Sequence, residues 1–204
     1  MSNEFIYDTT SSLSTVGAPP PPEPDFKPYS LIQQNDQILT KKLKEFDFGD
    51  PNLDSAEIAS RLVETAKYHR VYGIAANQCG LHHRVFVAGS DDNFVAFYNP
   101  IIISSDSIDG EVLMQESDLS NMGLLLHVKR PKSIVLQYQD YNGETKLLQF
   151  DGLTSRIIQQ NVDRLNGIDF KTKVSPLVLD RAKKALNKKV KKFVRTNTII
   201  KKAG

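Results

Sequence analysis

The 204-residue chain contains no tryptophan, a single cysteine and no long hydrophobic run, and each absence removes a class of protein. Cys79 alone cannot form an internal disulfide or a cysteine-rich zinc module, so stability must come from a packed core. No stretch approaches the ~18 consecutive apolar residues of a membrane span, which excludes a spanning helix and predicts no membrane partner. The opening MSNEFIYDTTSS lacks the basic, apolar, small-residue order of a secretory signal, so a cytoplasmic protein is expected. None of His69, His82, His83 and His127 has a ligand partner four residues on, and adjacent His82 and His83 near a strand start would point to opposite faces; they read as surface or core histidines. No Gly-Lys-Ser/Thr pattern follows Gly73 or Gly80 to make a phosphate loop, and no serine-centred nucleophile motif occurs. Cys79 reads as a buried small thiol rather than a nucleophile.

What is present suits one globular domain of roughly 150 residues plus tails, 40% of the chain being apolar and 25% charged. Charge is segregated. From Arg181 onward there are ten basic residues and no acid, so a total of +2 leaves residues 1–180 at −8. Such a basic tail is either a solvated helix face or a contact for phosphate or an acidic protein surface. At the other end, residues 1–26 carry APPPPEPDF after a Ser/Thr-rich lead, a composition that cannot bury enough surface to offset ordering entropy. Three segments are expected: an extended arm over 1–26, a domain over 27–175, and a basic C-terminal helix and tail over 176–204.

Within the domain, Ile58, Leu62, Val63 and Ala66 recur at helical spacing over residues 50–70, with Asp54 or Ser55 placed to cap. Short β-branched or aromatic runs then follow at 84–88, 94–98, 101–103, 111–114, 124–128, 133–138 and 146–150. Asn142-Gly143 marks a hairpin between the last two. Residues 151–165 turn helical through the stripe Ile157, Ile158, Val162 and Leu165, and Gly167 stands where the helix should stop. Pro176 opens a last helix whose stripe is Leu179, Ala182, Leu186, Val190 and Phe193. The fold class is α+β, with antiparallel strands dominant and no internal repeat.

Three segments are specific in combination. Gly73-Ile-Ala-Ala-Asn-Gln78 is similar to G-Φ-G-Φ-A-A-x-Q with Val71 replacing the earlier glycine. Glu116-Ser-Asp-Leu-Ser120 is similar to E-G-C-L-S, and Gln159-Gln-Asn-Val-Asp-Arg-Leu-Asn-Gly167 to Q-H-E-x-D-H-L-x-G. In this order, with Asn99-Pro100 and Asp151-Gly-Leu153 between them, they resemble the signature motifs of peptide deformylases over about residues 29–194. The resemblance implies strands wrapped around a central helix carrying the third motif. It also implies a divalent iron or zinc at positions 118, 160 and 164, a general base at 161 and an oxyanion-stabilising glutamine at 78.

Those positions hold Asp118, Gln160, Arg164, Asn161 and Gln78, so only the glutamine is kept. A guanidinium has no lone pair for a metal, Gln160 is a poor transition-metal ligand, and Asn161 is not basic near neutral pH. This predicts no metal, no cofactor and no catalysis. Gln160 and Arg164 lie one turn apart, and the family places position 118 opposite them. An ion pair of Arg164 with Asp118, and with Glu116 as a second acceptor, is therefore expected in place of the metal; the alternative is an Arg164 pointing to solvent beside Asp163.

The function that follows from the sequence alone is a non-catalytic deformylase-like structural or protein-binding subunit, placed in a phage virion (tail, baseplate or neck) if phage-encoded. Its partners would be met through the N-terminal arm or the basic C-terminal helix. Two other readings stand beside it: a ribosome- or nucleic-acid-binding module using that helix, and a metallohydrolase with an ion held by Asp118, Glu116 and Asp163. Gly73, Gln78 and Leu119 are the residues expected to line a cleft able to hold a peptide main chain.

Overall fold

The computed structural model describes residues 26–203; the Pro-rich arm expected over 1–26 lies almost wholly outside them. Helix α1, Ser55–His69, starts where Asp54 accepts the Glu57 amide and ends at Arg70 in a left-handed conformation. It buries Ile58, Leu62, Thr65 and Ala66, which confirms the apolar spacing read from the sequence. A three-residue strand β1, Gly73–Ala75, follows. The sheet continues through β2 (Val85–Ser90), β3 (Asn93–Glu116), β4 (Leu126–Gln139) and β5 (Thr145–Asp151).

Each strand pairs antiparallel with the next in chain order, so β1 and β5 are the edges. The separate runs read at 94–98, 101–103 and 111–114 belong to the single strand β3. It is interrupted by register shifts between Tyr98 and Ile101, Ile102 and Ser104, and Asp106 and Glu111. Asn99 at the first shift has φ 47° and Gly110 at the third has φ 79°, the left-handed geometry of bulged residues. Asn99 also accepts the Phe46 amide at 2.7 Å and donates to the Phe46 carbonyl at 2.9 Å, pinning the segment before α1 to the sheet.

Helix α2, Gly152–Leu165, packs against β1, β2, β4 and β5 and buries residues on most of its circumference. Ile158, Val162 and Leu165 join the main core with Leu62, Ile74 and Phe86. Arg156, Gln159, Asn161 and Arg164 are equally buried on the same helix. After α2 the chain turns at Gly167, which has φ 73° and where a Cβ would fall 2.6 Å from the Thr40 backbone, so a side chain is excluded. The last helix, α3, spans Pro176–Ala203. Its Leu179, Ala182 and Leu186 cover a second cluster of Leu124, Leu126, Val128 and Phe170, whereas Val190 and Phe193 are 51% and 68% exposed. The first three of the five residues of the stripe read from the sequence therefore form a packing face. Among the described residues no helix is long and apolar enough to cross a membrane.

Candidate functional site

A cavity of about 310 Å³ opens between the edge of β1, the segment after β3 and one face of α2. It is bordered by residues 71–73, which bend at Tyr72 before β1, and by residues 115–119, where the end of β3 passes into a single 3-10 turn at Leu119, and its floor is Gln160, Asn161 and Arg164. Gly73, Gln78 and Leu119, the residues expected to line a peptide cleft, all border it. Gly73 is a steric requirement: a Cβ there would fall 2.7 Å from Asn161 Nδ2. Gln78 is 4% exposed; its Oε1 accepts the Ala75 amide at 3.0 Å and its Nε2 donates to Ser120 Oγ at 3.1 Å.

Arg164 is 2% exposed and does not point to solvent. Its Nε donates to Asp118 Oδ2 at 2.8 Å, and Nη2 lies 2.5 Å from Asp118 Oδ1. Nη1 is 3.5 Å from Asp169 Oδ2. Nε and Nη2 thus stand opposite the two oxygens of the Asp118 carboxylate, and Nη1 has its counter-charge at longer range in Asp169. Burial raises the Asp169 carboxyl pKa, but the Lys171 amide and the Arg164 charge outweigh it and hold the group below its ordinary value.

Glu116, expected as a second acceptor for Arg164, is taken elsewhere, because two other arginines reach it first. Arg130 of β4 donates from Nε to Oε1 at 2.6 Å and from Nη2 to Oε2 at 3.0 Å, and Arg156 of α2 also donates to Oε1. Arg130 further donates to Asp163 at 2.7 Å. Burial works against the Arg130 cation, but Glu116 and Asp163 override it and keep the guanidinium above its usual pKa. Sequence reasoning missed Arg130 and Arg156. Arg156 was findable, standing four and eight residues before Gln160 and Arg164 on the same helix face; Arg130 has no local spacing signal.

The remaining floor residues are also engaged. Gln160 Nε2 donates to the Ser117 carbonyl at 2.8 Å, and Asn161 Nδ2 to the Ile157 carbonyl at 2.9 Å. The carboxylates of Asp118, Glu116 and Asp163 do not meet around a common point: Arg164 holds the first and Arg130 bridges the other two. Among the described residues no three His, Cys, Asp or Glu side chains are grouped to hold a metal. The donor set at 118, 160 and 164, one carboxylate, one amide and a buried guanidinium locked onto that carboxylate, does not fit a divalent cation.

The polypeptide deformylase family model matches residues 28–179. The peptide deformylase of Dictyoglomus turgidum is 37% identical over 146 residues, covering 72% of this chain and 85% of that protein. The crystal structure of the Thermotoga maritima enzyme superposes with a TM-score of 0.67 at 30% identity, covering 73% of this chain and 99% of that one. The Synechococcus elongatus deformylase in complex with actinonin gives 0.70 at 30% identity, covering 79% and 88%.

These findings correct the expectation of a non-enzymatic structural subunit in a virion, tail or baseplate. The relatives are named as deformylases, they align along most of their own length, and matching structures carry the ligand actinonin. The expectation gave four side-chain identities more weight than the whole domain around them. The motifs, the wrapped sheet around α2 and these matches lead to one assignment: the chain belongs to the peptide deformylase family.

Proposed function

We propose that this chain acts on peptides bearing an N-formyl group, the substrate class named by its relatives, and receives the peptide N-terminus in the cavity beside β1. The observation that carries the reading is the form of the cleft. Two stretches of backbone border it: residues 71–73, which lead into the sheet's edge strand, and residues 115–118, which continue from the end of β3. An extended peptide laid between such walls can hydrogen-bond main chain to main chain while its side chains project alternately. Gln78 contributes a donor: one Nε2 hydrogen is used by Ser120, and the amide's second hydrogen remains for a carbonyl oxygen entering the cavity. The absence of a Cβ at Gly73 lets Asn161 and Ile157 of α2 pack against this wall and fix its position.

The test is titration of the full-length protein with an N-formyl-methionyl peptide and its free-amine counterpart, followed by heat and by formate release. Preferential binding of the formylated peptide supports the reading, and formate release extends it to turnover. Equal or absent binding of both peptides overturns it.

A further inference from the structure

We propose that Arg156, Gln160 and Arg164 are positioning residues that together clamp residues 116–118, one wall of the cleft, onto α2. They join the two segments with side chains alone, so that the cleft keeps its shape independently of any divalent cation. The functional meaning of the clamp rests on the peptide-binding reading; its existence does not.

The three residues recur every fourth position on one face of α2 and engage three consecutive residues of the wall. Arg156 donates to the Glu116 carboxylate and to the Val112 and Val128 carbonyls. Gln160 donates to the Ser117 carbonyl. Arg164 grips the Asp118 carboxylate. Four helical residues advance about 6 Å, while one extended residue advances about 3.3 Å. The outer two rungs must therefore lean inward across a longer gap than the middle one. The long arginines stand at the ends and the shorter glutamine at the centre, as that geometry requires.

The clamp is braced and has an output. Arg130 locks Glu116 from the β4 side and returns to α2 at Asp163. Asp118 also accepts the Ser120 amide on Oδ1 at 2.8 Å and the Asn121 amide on its main-chain carbonyl at 2.9 Å. The Ser120 hydroxyl in turn accepts from Gln78. A continuous path, Arg164 to Asp118 to Ser120 to Gln78, links the helix to the cavity's free donor.

Amide hydrogen exchange of the full-length protein reads the clamp directly at Ser120 and Asn121, with β2 amides as internal reference. Gln160→Leu removes the central rung without stranding a buried charge. It should speed exchange at Ser120 and Asn121 about fivefold to tenfold, the loss of one net hydrogen bond, and leave β2 unchanged. Gln160→Lys, which keeps a donor of similar reach, should restore the native rates. Dialysis against EDTA, or addition of zinc, should leave the native pattern within about twofold. Unchanged wall exchange in Gln160→Leu overturns the proposal. So does acceleration of the native wall by EDTA with release of stoichiometric metal. Affinity for the formylated peptide should fall in Gln160→Leu and recover in Gln160→Lys. A native protein with the expected exchange pattern but no peptide affinity would sink the peptide reading and leave the clamp standing.

Discussion

Among the described residues Arg164 is the largest side chain buried almost completely, and its interaction with Asp118 takes two charges out of water. Removing one partner strands the other, whereas removing both relieves the desolvation penalty. Arg164→Met should therefore cost about 3–5 kcal/mol of unfolding free energy, and Asp118→Leu combined with Arg164→Met should recover most of it. Denaturant titrations of the two variants provide the check, and equal losses would show that the pair is not the source. Cys79 makes a contrasting case: burial pushes its thiol up to about 12 from 9.0. It should resist a thiol reagent at pH 8 in the folded protein and react on unfolding. Because the folded pKa is the higher one, its contribution to stability is complete below pH 9 and is lost between about 9 and 12, measurable as a falling melting midpoint. At this scale the contact of Arg164 with Asp118 was legible, since helix spacing put Arg164 on the face of Gln160 and the deformylase resemblance placed position 118 opposite them. Arg130 was not, because a strand residue's partner is set by sheet curvature and leaves no mark in the sequence nearby.

Among the elements, α1 and α2 were readable from apolar spacing and their end signals, and the hairpin from Asn142-Gly143, where Gly143 has φ 81°. Strand β1 was not: three residues containing Gly and Ala carry little β-propensity, and pairing with β2 alone makes it a strand. In α3 the apolar stripe runs beyond the surface it covers, because the spacing records a helix face and not where a neighbour stops. Leu186→Ala should cost about 1–2 kcal/mol, less than the loss of a fully buried leucine, and Phe193→Ser should stay within about 0.5 kcal/mol. Thermal melts of both would separate the packed part of the stripe from the exposed part.

Among the described residues there are two apolar clusters, the larger between the sheet and the first two helices, the smaller beneath α3. Small clusters open more readily than large ones, so α3 should be the first helix to exchange its amides. Protection over residues 182–186 should be at least about tenfold below that over 85–88; equal protection would make α3 part of the main cooperative unit. The sheet's wrap around α2 has a source in the backbone. At its first two register shifts β3 carries one more residue than β4 opposite, and at the third it carries several. Like the outer lane of a bend, the longer strand turns the ladder. Curvature is thereby written in chain length more than in residue type, and insertions or deletions over 98–111 should disturb the fold more than most substitutions there.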